Sequence, residues 1–208
     1  MSQVLNLSAR SHALDEETAR AEVYGLLSQL LYAAPSADLF GQLQVAVTEA
    51  PEAGGFLQEP WREWVASARR LRHGDVVAEY NRLFGGVGKP EVYLYGSHYL
   101  SGFLNEKPLV KLRDDLAALG LGKGEGMSDT EDHVAYVFEV MRYLIAGDDV
   151  AVANLTQQMA FFSQHVQPWV PQLCQRLQAH PAAEFYARLA AFAEAFLSVE
   201  TQGFDLVA

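Results

Sequence analysis

The chain has 208 residues, half of them apolar and a fifth charged, so it carries enough apolar material for a sizeable core and is not a disordered polymer. Fifteen Lys and Arg against 26 Asp and Glu leave a formal charge of −11, which argues against a surface built to follow nucleic-acid phosphates and fits a basic partner better. A single cysteine, Cys174, excludes an intrachain disulfide framework and any multi-cysteine zinc or iron–sulfur site.

The first twenty residues are polar and mixed, with no apolar block leading to a small-residue cleavage site. The most apolar early stretch, residues 23–34, is interrupted by Gly25, Ser28 and Gln29 and is too short for a membrane span. The chain is therefore expected to be soluble and cytoplasmic, with no stable membrane insertion. Asp15 opens a helical pattern in which Val23, Leu26, Leu27, Leu30 and Leu31 recur at spacings of three and four until Pro35. Ser36 is placed to cap a second helix carrying Leu39, Phe40, Leu43 and Val47. A third begins around Pro60 and lines Trp61, Trp64, Val65, Ala68 and Leu71 on one stripe. Val76, Val77, Tyr80, Leu83 and Phe84 make a fourth, closed by the glycine run 85–88.

From Glu91 to Lys107 the periodicity breaks, and Tyr93, Tyr95, Tyr99 and Phe103 crowd into a long aromatic connection with room for one helical turn. Residues 108–119 are helical again. Glycines at 120, 122, 124 and 126 read as a hinge between halves, over 120–127. Ser128-Asp129-Thr130-Glu131 has the form of a capping box, which predicts a helix running from there to Gly147. Three further amphipathic runs cover 149–164, 168–179 and 181–199. No alternating β pattern of useful length occurs, so the fold is expected to be all-α, one globular domain of roughly eight to ten helices over residues 1–208.

Catalytic constellations are missing. The six histidines include no pair four residues apart around a glutamate and no paired Glu-x-x-His, so zincin and di-iron sites lose their signatures. No strand precedes the glycine run, and Lys123 lacks the rest of a phosphate loop. Cys174 lies in an amphipathic helix as a small apolar residue. Neither a catalytic set nor a cofactor or metal site is expected. Three local groupings remain: the loop Tyr93 to Tyr99, with Ser97 and His98; the acidic stretch Asp129, Asp132 and His133; and Phe162, His165 and Trp169 around Pro168. Taken singly, each has an ordinary structural reading in loop packing, helix-end charge or core.

Taken in order, the three groupings resemble the TorD/DmsD family of cytoplasmic redox-enzyme maturation chaperones. That family carries an aromatic loop of the form Pro-x-x-Tyr-x-Ser-x-Tyr, a helix start Glu-Pro-x-Asp-His, and Phe and His shortly before Trp. Here the loop runs from Pro90 to Tyr99, with Gly96 where an acidic residue is common; Asp129 and Thr130 replace Glu-Pro, and Asp132-His133 is retained. The resemblance implies a non-enzymatic chaperone that binds the twin-arginine signal peptide and the apo form of a molybdopterin oxidoreductase catalytic subunit, assists cofactor insertion and prevents premature export. A non-catalytic adaptor or assembly subunit of a redox-enzyme complex is the alternative.

For such a peptide the expected receptor combines carboxylates with an apolar, aromatic groove. Asp132, with Asp129 and Glu91, is assigned the charge; Tyr93, Tyr95, Tyr99 and Phe103 the apolar surface; Ser97 a place in the loop; and His133 an orienting or proton-sensing role. Leu83 and Phe84 are candidate groove residues, although the core face of a helix suits them better, and Phe162, His165 and Trp169 form a structural motif. No nucleic-acid partner is expected, and the protein is expected to be a monomer or a homodimer swapped about the glycine stretch.

Overall fold

The computed structural model describes residues 4–48, 55–85, 89–124 and 127–207. Among them the chain forms ten α-helices: α1 (Val4–Tyr32), α2 (Ala37–Val45), α3 (Gly55–Arg70), α4 (His73–Phe84), α5 (Gly96–Ser101), α6 (Lys107–Ala118), α7 (Val134–Ala146), α8 (Leu155–Phe161), α9 (Val170–Gln178) and α10 (Phe185–Asp205). One π turn, Phe162–Val166, extends α8. The all-α class read from the sequence holds. No helix among the described residues is long and apolar enough to cross a membrane.

Boundaries follow local chemistry in some places and depart from it in others. Ser36 caps α2 as its position predicts, its Oγ accepting from the Leu39 amide at 3.2 Å. Helix α1 starts well before Asp15 because residues 4–14 contain no glycine or proline to stop it. Helix α3 likewise starts at Gly55 and absorbs Pro60 in its second turn. Gly120, at φ +70°, ends α6 in a Schellman turn, with the Gly120 amide on the Ala117 carbonyl and the Leu121 amide on that of Leu116. Of the proposed hinge, residues 125–126 lie outside the described residues, as do 86–88 of the earlier glycine run.

Packing crosses the glycine stretch. Helix α1 lies along α7, and α10 lies against α3 and α9, so helices from before and after residues 120–127 share one core. That core is aromatic: Trp64 stacks on Phe192 at 5.6 Å, and Tyr24 meets Phe138 and Phe196 at 5.6 and 4.9 Å. Cys174 is buried within it, and burial pushes its thiol pKa well up, away from reactivity.

Two carboxylates clamp the helices from within. Glu79 of α4 accepts from the amides of Glu184, Phe185 and Tyr186 at 2.8–3.1 Å, satisfying the otherwise unpaired start of α10. Glu200 of α10 accepts a bidentate pair from Arg20 of α1 at 2.7 and 2.9 Å and the Tyr24 hydroxyl at 3.1 Å. Gln158 extends this network from α8 to the Leu144 carbonyl of α7. Because Glu200 is almost fully buried, Glu200→Ala removes both carboxylate bonds of the largely buried Arg20, leaving it Gln158 alone, and takes from the buried Tyr24 hydroxyl its acceptor. We expect it to cost about 3 to 5 kcal/mol, read as a lowered midpoint in urea unfolding. A loss below about 1 kcal/mol would contradict this role.

Candidate functional site

The aromatic loop and the acidic stretch, far apart in sequence, meet as a two-residue β-bridge between Tyr95 and His133. The Gly96 amide donates to the Asp132 carbonyl at 2.9 Å, and the Val134 amide donates to the Leu94 carbonyl at 2.8 Å. The Asp132 side chain strengthens the join. Its Oδ2 accepts from the Ser97 amide at 2.9 Å and the Ser97 hydroxyl at 2.5 Å, and its Oδ1 accepts from the Thr130 hydroxyl at 2.6 Å. Asp132 is 3% exposed and Ser97 fully buried, so this carboxylate serves α5 as a capping acceptor supplied from outside the helix.

The bridge also decides where α7 begins. The capping box expected at residues 128–131 does not form: Ser128 Oγ donates to its neighbour Asp129 Oδ2 at 3.0 Å, and the helix starts at Val134 with His133 as its cap. His133 Nδ1 accepts from the Ala135 amide at 3.2 Å, which leaves the ring proton on Nε2. Residues 129–133 are held by tertiary pairing with the loop, and that pairing outcompetes the local motif.

Beneath α5 lies Trp169, whose Nε1 donates to the His165 carbonyl at 2.6 Å and whose ring stacks on Tyr99 at 5.6 Å. A Cβ on residue 96 would sit 3.1 Å from the indole, so Gly96 lets the loop lie closer on Trp169 than a larger residue would without a small shift of that ring. Phe162 packs on Phe204, and His165 Nε2 pairs with Asp115 at 2.7 Å. These three residues are buried supports.

The other predicted residues separate by their contacts. Tyr93 stacks on His98 at 4.2 Å and accepts the Tyr99 hydroxyl on its carbonyl, so Tyr93 and Tyr99 belong to the Trp169 side of the loop. Phe103 is 71% exposed just beyond α5. Leu83 has no exposed surface and lies in the core, which corrects its assignment to a groove; Phe84 packs on Tyr80 and Tyr186. Glu91 faces Arg82 and His180 at 3.3 and 3.2 Å.

Tyr95 points the other way, its hydroxyl donating to Asp129 Oδ1 at 2.5 Å. Burial works to raise the Asp129 carboxyl, but hydrogen bonds from Tyr95 and Ser128 outweigh it and hold it below the usual range. Around it stand two tyrosines that the sequence reading missed. Tyr32, at the end of α1 and 43% exposed, and Tyr136, in the first turn of α7, have ring centroids 5.6 Å apart. Both face His133, at 6.2 and 5.7 Å, and Tyr95 meets the same imidazole edge-on at 5.1 Å. The Tyr80 hydroxyl fixes the end of α1 by donating to the Tyr32 carbonyl at 2.7 Å.

The result is a shallow ring of three tyrosines over a buried histidine, with one carboxylate at its edge. Beside Tyr136 a trough of about 220 Å³ opens, floored by Leu116, Leu121, Met127, Val140 and Tyr143. Among the described residues no three His, Cys, Asp or Glu side chains converge to hold a metal ion.

Burial pushes the His133 pKa down to about 4, although Asp129 and Asp132 pull it up, so the ring is neutral at neutral pH and does not titrate there. In the unfolded chain the same group takes its proton near 6.5. The unfolded state therefore binds more protons between these values; the contribution to stability is complete above pH 6.5 and is lost as pH falls toward 4. Between pH 7.5 and 5.0 wild type should lose about 2 kcal/mol more than His133→Asn, whose amide still offers a cap acceptor, in parallel urea titrations. Equal losses would contradict burial of a neutral ring.

The chain is similar in sequence to known proteins. The profile of the family described as nitrate reductase delta subunit matches residues 51–175, more than half of the chain. The chain is 25% identical over 202 residues to the chaperone protein TorD of Vibrio cholerae serotype O1, covering 89% of this chain and 92% of that protein. TorD of Vibrio atlanticus is 24% identical over 136 residues, 62% of this chain and 63% of the relative. TorD of Photobacterium profundum is 25% identical over 120 residues, 54% and 56% respectively. The bridged loop, the capping His133 and the Trp169 support thus sit in a member of a known lineage: the chain belongs to the nitrate reductase delta subunit family of TorD-like chaperones.

Proposed function

We propose that this protein is a cytoplasmic, non-catalytic maturation chaperone that binds the twin-arginine signal peptide of an apo molybdenum-cofactor oxidoreductase. Holding that precursor assists cofactor insertion and delays export until the cofactor is in place. The family and the TorD relatives support the chaperone role. The observation that carries the peptide reading is Asp129: a half-buried carboxylate with hydroxyl partners only, rimmed by Tyr32, Tyr95 and Tyr136 and adjoining an apolar trough.

An arginine side chain docks there with its guanidinium on Asp129 and its plane against a tyrosine ring. The apolar residues that follow lie in the trough beyond Tyr136. Asp132 then acts as a positioning residue: it holds α5 and Tyr95 in place and does not itself meet the ligand. A second reading, an adaptor for a folded partner, draws on the exposed apolar side chains of Leu100, Phe103, Leu104 and Val110.

Isothermal calorimetry with a synthetic peptide carrying two arginines and an apolar run separates the two. We expect saturable one-to-one binding that Asp129→Asn weakens about tenfold, the scale of one charge-assisted hydrogen bond, without moving the thermal midpoint by more than a few degrees. Asp132→Asn should instead lower that midpoint markedly. Absent peptide binding, together with capture of the folded mature oxidoreductase, would replace this reading with the adaptor.

A further inference from the structure

The acidic groups near the tyrosine ring are unequal in availability. Asp132 is buried, and its oxygens are engaged by Ser97 and Thr130. Glu131 is paired with Arg113 at 2.8 Å, Glu139 with Arg142, and Glu91 with Arg82 and His180. Among the described residues Asp129 forms no ion pair; it is bonded by two neutral hydroxyls, one on each oxygen.

Each carboxylate oxygen has a second acceptor position, so Asp129 keeps one on each oxygen. Two acceptor positions on one carboxylate match the two parallel N–H groups of a single guanidinium. The aromatic surroundings point the same way. Tyr32, 43% exposed, and Tyr136 place aromatic rings around His133 where a planar cation would sit, and His133 beneath them is neutral and does not repel it.

We propose that this site accepts one arginine and not two. Of the paired arginines in a signal peptide, one sits on Asp129 among the tyrosines and sets the affinity, while its neighbour stays in solvent. The inference rests on the peptide reading above and makes Asp129, with Tyr32 and Tyr136, the determinant of which arginine is read.

The test uses three peptides of one sequence on the wild-type protein: both arginines present, the first replaced by citrulline, and the second replaced by citrulline. Citrulline keeps the planar shape and removes the charge. Calorimetry should show one replacement weakening binding about tenfold and the other leaving it within twofold. On Asp129→Asn the two singly substituted peptides should bind alike within twofold. Comparable losses from both replacements on wild type would overturn the single-arginine site while leaving peptide recognition intact. Indifference to both would remove Asp129 as the receptor, and no binding of the unsubstituted peptide would overturn the underlying peptide reading as well. Because the decisive comparison is made on wild-type protein, it does not depend on the folding of a variant.

Discussion

The buried carboxylate of Asp132 is the interaction on which the site is built. It lies between a six-residue helix and the start of α7, and its acceptors take up the Ser97 amide, the Ser97 hydroxyl and the Thr130 hydroxyl. A helix as short as α5 has little stability of its own, since nucleation fixes several residues for each hydrogen bond gained. An acceptor delivered from another segment supplies what the local sequence lacks. The backbone pairing of Tyr95 with His133 runs through the same join, so the Asp132 side chain and main chain together set how far Tyr95 reaches toward Asp129.

Only Thr130 and Glu131 separate Asp129 from Asp132, yet the two carboxylates have different surroundings. One is enclosed by amide and hydroxyl donors and has become part of the scaffold. The other is at the rim and ionised; among the described residues no cation pairs with it directly, although the charge of Lys123 also helps to hold its pKa down. His133 sits between these roles: it caps α7 through Nδ1 and is kept neutral by burial, so it closes the floor of the tyrosine ring without adding positive charge. The formal charge of −11 therefore includes several carboxylates whose charge is met by Arg113, Arg142, Arg82 or Arg20, and Asp129, which forms no ion pair among the described residues and which the proposed reading assigns to a cation.

Much of the helical frame was legible in the sequence because it rests on spacing: the stripes of α1 and α7, the Ser36 cap and the short turn within the aromatic loop all follow from residue pattern. The failures share one cause. Ser128 to Glu131 has the form of a cap, but pairing with residues 94–96 takes the Asp132 carbonyl and the Val134 amide that a helix starting at Ser128 would use. Tyr32 and Tyr136 belong to the site only because α1 packs along α7, a contact across more than a hundred residues with no local signature. The Gly96 departure becomes intelligible once Trp169 is seen beneath it, since a side chain there would press on the indole.

The division of labour between the two aspartates is tested most directly by the salt dependence of peptide affinity. Charge pairing at a rim is screened over about 8 to 10 Å at ordinary ionic strength, whereas an apolar trough is not. Measured from 50 to 300 mM salt, affinity of the two-arginine peptide should fall steadily for wild type, and the fall should be clearly shallower for Asp129→Asn. Parallel slopes for the two proteins would contradict Asp129 as the group that meets the arginine.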